Sequence, residues 1–190
     1  MLQLPSCLPG RKQMLKLRTK DPTGSDAAKS NFGTTLQHIL NRLNQFWEFH
    51  KSEIDPNYDF RIKSHVETGY CPTIPFESVL AATFTSLYNS ANIIAFTYLA
   101  PISTTPDTYY RKATVHAASI LSSIAYHESQ GPTSGGSFSM LFPIRIVSLM
   151  SPSEEQKELA HQALVKWGEK RGLDGVSITR VTSLEEGKRY

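Results

Sequence analysis

The sequence predicts an all-α protein, an irregular bundle of helices. Along four stretches the apolar residues recur about every 3.6 residues, which is the period of one helix face. Capping residues, prolines and glycines bracket these stretches at positions typical of helix ends. One other segment alternates like a strand, but no second strand is visible to pair with it. The four predicted helices lie near residues 34–54, 75–100, 105–130 and 151–171.

The composition fits one domain with its own core, because 39% of the 190 residues are hydrophobic. We predict a flexible basic segment over residues 1–30 and a helical domain over residues 31–190. The net charge of +3 is too small to indicate nucleic-acid binding by itself. Because Cys7 and Cys71 are the only cysteines, a disulfide scaffold and a multi-cysteine zinc site are excluded. A reducing, intracellular compartment is therefore expected.

The basic segment is too polar at its start to be a secretory signal peptide. It contains a run of cations at Arg11, Lys12, Lys16, Arg18 and Lys20. Two interpretations are open for this run, namely an arm that contacts phosphates or a nuclear-import receptor, and a solvated tail. The turn-forming and polar residues of Asp21–Ser30 predict a linker.

The first helix is predicted to begin near Thr34 and to end before the turn signal Asp55-Pro56-Asn57. Its aromatic residues are interpreted as core, with the lining of a ligand cavity as the alternative. These residues are Phe46, Trp47 and Phe49. The segment from Tyr58 to Thr73 alternates polar and apolar residues, which leaves a short strand, a polar loop and a short helix all open.

The second helix is predicted to begin at Pro75 and to end at Pro101. Its apolar face comprises Phe76, Leu80, Thr83, Phe84, Leu87, Ala91, Ile94, Ala95 and Tyr98. No charged residue occurs from Ser78 to Pro106, so a membrane span has to be considered. Asn89 and Asn92 argue against a span, because amides in hydrocarbon need partners. We therefore expect a helix that is buried on most sides.

The third helix has a clear start at Thr105-Pro106-Asp107 and should stop just before Gly131-Pro132. A glycine-rich loop and an apolar strip, Phe138–Met150, follow it. Ser151-Pro152-Ser153-Glu154 reads as a capping box that opens the last helix, with Gly172 as its stop. The side chains predicted to be largely buried across the bundle are Trp47, Phe84, Leu87, Ile94, Ile120, Ile124, Leu164 and Trp167.

No catalytic or metal-binding motif stands out. The six histidines include no pair at the i, i+4 spacing of a helical zinc site, so neither a metal nor another cofactor is expected. The stretch Gly135–Ser139 only approximates a nucleophile elbow and is interpreted as a turn. If the protein were an enzyme, its acid/base candidates would be His116, His127 and Glu128.

The ordered run from Phe84 to Gly172 resembles the helical regulatory region of fungal zinc-cluster transcription factors. The matching segments are Leu87–Ile94, Ala117–His127, Gly135-Gly136, Leu141–Ile144, and Trp167 with Gly172. The six-cysteine cluster that reads DNA in this family cannot be built from two cysteines. There is also no heptad run for the coiled coil that usually follows the cluster.

The resemblance implies a regulator of fungal type that works in the nucleus without a DNA-reading module of its own. It would act through a protein partner, either the transcription machinery or another regulator, or through sensing a small-molecule effector. Its expected setting is the regulation of a secondary-metabolite gene cluster. Contact with nucleic acid would be weak and non-specific, and no membrane partner is expected. The alternative is a small helical enzyme of fungal secondary metabolism that uses the acid/base candidates named above.

Overall fold

A computed structural model of the chain describes residues 22–68, 76–130 and 139–171. Within these ranges the protein is all-α, as predicted, with six α-helices and no strand. The helices are α1 (Pro22–Ile54), α2 (Tyr58–Thr68), α3 (Val79–Leu99), α4 (Pro106–Ser129), α5 (Leu141–Met150) and α6 (Glu154–Arg171). A single 3-10 turn, Ala100–Ile102, follows α3.

Helix α1 ends at Ile54, as predicted, but it begins at Pro22 rather than near Thr34. The expectation of a linker is therefore wrong from Pro22 to Ser30. Proline is well suited to the first helical position, because its fixed φ matches the helix and its missing N–H would have no intrahelical acceptor there. The basic run from Arg11 to Lys20 lies outside the described residues.

Helix α2 settles the open interpretation of the segment Tyr58–Thr73 in favour of a helix as far as Thr68, and residues 69–73 lie outside the described ranges. The alternation of polar and apolar residues suggested a strand, because a strand would place all the apolar side chains on one, inward face. In the folded chain Phe60 and Val66 are exposed, whereas Arg61 and His65 are buried. Residues four apart lie on the same face of a helix, so this burial pattern fits a helix and not a strand.

Helix α3 lies at the centre of the bundle and packs against α1, α4 and α5. It begins at Val79, where the Ser78 hydroxyl accepts a hydrogen bond from the Ala81 N–H at 3.0 Å, so its start is four residues later than predicted. The segment Val79–Ile102 is long and apolar enough to cross a membrane, but 67% of its apolar 18-residue window is buried inside the protein. This burial confirms the prediction of a helix covered on most sides.

The second half of the bundle follows its predicted boundaries closely. Helix α4 begins at Pro106 and ends at Ser129, just before Gly131-Pro132. The apolar strip folds as α5, which accommodates Pro143 in its first turn, where the missing N–H is not needed.

The N-cap of α6 lies two residues later than predicted. The cap is Ser153, whose hydroxyl accepts a hydrogen bond from the Gln156 N–H at 3.3 Å. Ser151 instead donates to the Gln156 side chain at 2.6 Å. The glycine-rich loop and Gly172 lie outside the described residues.

Two apolar clusters hold the helices together, and α3 and α4 contribute to both. The larger cluster joins them to α5 and α6 and comprises Ile93, Ala117, Ile120, Met140, Ile144, Val147, Ala160, Ala163, Leu164 and Trp167. The smaller cluster joins them to α1 and comprises Leu36, Leu40, Ala95, Phe96, Leu99 and Ala113. Full burial of a valine, leucine, isoleucine, phenylalanine or methionine side chain stabilises the fold by about 1.5–3 kcal/mol relative to leaving it exposed.

Most of the predicted core is confirmed, with one clear error on α3. Of the eight side chains predicted to be largely buried, Trp47, Ile120, Leu164 and Trp167 are buried, and Leu87, Ile94 and Ile124 are partly buried. Phe84 is 48% exposed, so its predicted burial is wrong. The physical reason is that α3 turns its polar side toward the other helices.

Candidate functional site

Over the first half of helix α3 the interior side carries polar residues and the small Ala81 and Ala82, whereas the large apolar side chains lie on the outside. The buried polar residues are Thr83, Thr85, Ser86, Asn89, Ser90 and Asn92. On the opposite side Leu80 is 64% exposed and Phe84 is its exposed neighbour one turn on. Such an orientation is stable only if the buried polar groups find hydrogen-bond partners, because an unpaired buried polar group costs about 1–3 kcal/mol.

Asn89 provides the centre of these partnerships, at the junction of α2, α3 and α4. Its Oδ1 accepts a hydrogen bond from the Tyr58 hydroxyl at 3.0 Å, and its Nδ2 donates to the Ser119 hydroxyl at 3.0 Å. The same Oδ1 lies 2.8 Å from His116 Nδ1. Since a carbonyl oxygen can only accept, His116 carries its proton on Nδ1. We call these four residues the Asn89 cluster.

The ionisable members of the Asn89 cluster are held neutral. Burial, together with the nearby charge of Lys112, lowers the pKa of His116 to about 3. Burial raises the pKa of Tyr58 well above its ordinary value. An acid/base catalyst works best with a pKa near the working pH, so His116 is poorly tuned for proton transfer near neutrality. The cluster is suited to fixing helices together.

A buried ion pair between Asp55 and Arg61 ties the α1–α2 turn to α3. Each of the two side chains is 2% exposed. The Thr85 hydroxyl on α3 donates to the Asp55 carboxylate at 3.2 Å. The guanidinium also lies over the Phe76 ring, 4.0 Å from its centre. Charges buried this deeply are stable only when they are paired, so the turn after α1 has one strongly preferred arrangement.

The three acid/base candidates from the sequence do not converge. His116 and His127 are eleven residues apart on α4, which separates them by about 16 Å along the helix. His127 is fully buried. The Glu128 carboxylate accepts hydrogen bonds from Trp167 Nε1 and Lys166 Nζ, each at 2.9 Å. This carboxylate thereby joins α4 to α6, which is a structural role.

His65 on α2 is a buried histidine that the sequence did not single out. Both of its ring nitrogens are buried and have no hydrogen-bond partner in the part of the chain that the structure describes. Burial, followed by the charge of Arg61, lowers the pKa of its imidazole. Among the described residues, no group of three or more His, Cys, Asp or Glu side chains is arranged to hold a metal ion.

The aromatic residues of α1 have two different roles. Trp47 is buried and stacks on Tyr88 of α3, with ring centres 4.2 Å apart and planes at 9°. Phe46 and Phe49 point elsewhere, and their exposed fractions are 57% and 79%. The interpretation as core is therefore confirmed for Trp47 and wrong for the two phenylalanines. Both phenylalanine rings contact the imidazole of His50, with ring centres 4.6 and 4.8 Å away.

No family model matches the chain, and no curated protein or solved structure is significantly similar to it.

Proposed function

We propose that this chain is a transcription-regulator-like helical module of fungal type, which lacks a zinc cluster of its own and acts in the nucleus by contacting another protein. The observation that supports this function most is the exposed apolar face of α3. We define the α3 face as Leu80 and Phe84, which are exposed, and Leu87, which is partly buried. Contiguous apolar side chains at the surface are typical of protein interaction sites.

The spacing of the α3 face suits a helical partner. Its three residues lie at positions i, i+4 and i+7, so they form one stripe along about two turns. An amphipathic segment of the transcription machinery, or of another regulator, could place its own apolar stripe against it. The affinity would come from burying these side chains, and charged groups would contribute little at this uncharged stretch of α3.

Binding at the α3 face could change the packing of the whole bundle, because α3 contacts most of the other helices. Helix α3 contributes to both apolar clusters and to the Asn89 cluster. A partner or small effector that binds one packing of α3 better than another would shift the bundle toward that packing. Regulation of a secondary-metabolite gene cluster is part of this proposal, and it rests on the family resemblance.

A reporter assay tests the proposal. The full chain is fused to an unrelated DNA-binding domain, and transcription from the matching operator is measured in a fungal cell. We expect a reproducible rise or fall, and we expect the double variant Leu80→Ser, Phe84→Ser to abolish it. Because Leu80 is 64% and Phe84 48% exposed, this variant should lower the free energy of unfolding by no more than about 2 kcal/mol and should stay folded.

The matched control is Leu159→Ser, which removes a similarly exposed leucine from α6. This control should leave the reporter response unchanged. Trp167→Ala, which disrupts the larger apolar cluster, should abolish the response by unfolding the protein. An unchanged reporter with a fusion that is folded and nuclear contradicts the proposed function, as does equal loss of activity in the Leu159→Ser control.

A further inference from the structure

Helix α1 carries an exposed stripe on the side away from Trp47. We define the α1 stripe as Arg42, Phe46, Phe49 and Glu53. Successive members are four, three and four residues apart, so at about 100° per residue all four fall within roughly 60° of one another. Phe49 lies about 160° from Trp47 around the helix. The packing of Trp47 against α3 therefore turns the stripe to the surface.

The order of side chains along the α1 stripe is cation, two aromatic rings, anion. We propose that this stripe binds the α1 stripe of a second copy of the chain, with the two helices antiparallel. A two-fold axis level with the point between Trp47 and Glu48 would pair Phe46 of each copy with Phe49 of the other. It would also pair Arg42 of each copy with Glu53 of the other.

The charges decide the direction of the pairing. In an antiparallel pair every charge of the stripe meets its opposite, because Arg42 and Glu53 are equally distant from the axis. A parallel pair would place Arg42 against Arg42 and Glu53 against Glu53, and facing like charges are unfavourable. A two-fold interface uses the same patch on both copies, so a patch must be self-complementary in this way.

The individual side chains are also available for such a contact. Arg42 is exposed and has no ion-pair partner among the residues that the structure describes. The Glu53 carboxylate lies 3.8 Å from His50 Nδ1, and its side chain is 79% exposed. Two neighbouring phenylalanines exposed by more than half form an apolar patch that water solvates poorly. This inference is independent of the α3 face and of the proposed function.

Charge reversal in the full-length protein tests the contact. Sedimentation equilibrium over roughly 10–500 µM measures self-association. Arg42→Glu and Glu53→Arg each create two like-charge contacts in an antiparallel pair and should each weaken the dimer about tenfold. An equimolar mixture of the two variants should restore the dimer, because every stripe charge then meets its opposite. The double variant with both changes in one chain should also restore it.

A second test removes one exposed phenylalanine from the α1 stripe, and its matched control removes one from α2. Phe49→Ser should abolish the dimer, and Phe60→Ser, on α2 with 53% exposure, should leave it unchanged. Both variants should keep the wild-type circular dichroism spectrum. A protein that stays monomeric over the whole concentration range overturns the proposal, and so do reversal variants that dimerise as well as wild type.

A distance measurement tests the direction. A spin label is attached at His38→Cys in a chain whose Cys7 and Cys71 are replaced by serine. With a rise of about 1.5 Å per residue and helix axes about 9 Å apart, antiparallel pairing predicts a label separation of about 30 Å. Parallel pairing would give about 10 Å, which would overturn the antiparallel contact.

Discussion

Replacing Asp55 by alanine should destabilise the protein more than a typical point substitution. The change removes the partner of a guanidinium that is almost completely buried and the acceptor of the Thr85 hydroxyl. Breaking a buried ion pair from one side costs about 3–5 kcal/mol, because the remaining charge stays out of water. A domain of this kind has about 5–15 kcal/mol of stability in total, so a large part of it would be lost.

The assay is urea denaturation followed by circular dichroism. With a slope near 2 kcal/mol per molar urea, the expected loss lowers the unfolding midpoint by roughly 1.5–2.5 M. Asp59→Ala is the matched control, because Asp59 is 69% exposed and its ion pair with Lys51 lies at the surface. This control should cost less than about 1 kcal/mol.

A second comparison separates the charge from the packing. The double variant Asp55→Leu, Arg61→Met removes both charges and should be more stable than Asp55→Ala alone, since the buried cation is then removed together with its counter-charge. If Asp55→Ala costs less than about 1 kcal/mol, the two charges are not buried as a pair and the account of the α1–α2 turn is refuted.

Two further predictions concern the Asn89 cluster. Asn89→Ala removes a hydrogen-bond partner from Tyr58, Ser119 and His116 at once and should cost about 3–4 kcal/mol in urea denaturation, whereas Asn92→Ala, whose amide donates to the Tyr88 carbonyl, should cost about 1 kcal/mol. Equal losses would contradict the central role of Asn89. His116 has a lower pKa in the folded protein than in the unfolded chain, so stability should rise with pH between about 3 and 6.5 and be lost as pH falls through that range. His116→Gln should reduce the slope of stability against pH there by up to about 1.4 kcal/mol per unit, and an imidazole that titrates near pH 6 in the folded protein by NMR would contradict this.

The helix boundaries were largely predictable because they depend on nearby residues. Asp55-Pro56 ends α1 and Thr105-Pro106 starts α4, as the sequence indicated. The early start of α1 was missed because glycine and polar residues after Pro22 look like a linker. The start of α6 was misplaced because Ser151 and Ser153 are both good caps, and the choice between them depends on Gln156.

The orientation of α3 was not predictable from the same reasoning. Apolar residues were assumed to face the core, which placed Phe84 inside. The polar side of α3 lies in the interior because its side chains find hydrogen-bond partners there. These partners are distant in sequence, as with Asn89 and His116, which are 27 residues apart. The local sequence pattern does not predict that two polar side chains so far apart in sequence will form a hydrogen bond.

The same limit applies to the candidate site. His116 could be named from the sequence as an ionisable residue on a helix, but the burial that lowers its pKa comes from other helices. The exposed Phe46 and Phe49 were assigned to the core because the aromatic residues of this helix were interpreted together, as one stripe with Trp47. The packing of Trp47 against Tyr88, with that of Leu36 and Leu40 in the smaller apolar cluster, shows which way α1 is turned.

The orientation of α3 is the central claim, since the buried Asn89 cluster and the exposed α3 face both depend on it. The most direct test compares the rates at which a water-soluble thiol reagent labels Phe84→Cys and Ala82→Cys, each in a chain without Cys7 and Cys71. Ala82 is completely buried. We predict that Phe84→Cys reacts almost as fast as in the unfolded chain and that Ala82→Cys reacts about a thousandfold more slowly. Fast labelling of Ala82→Cys with protection of Phe84→Cys would show that α3 faces the opposite way and would contradict the account.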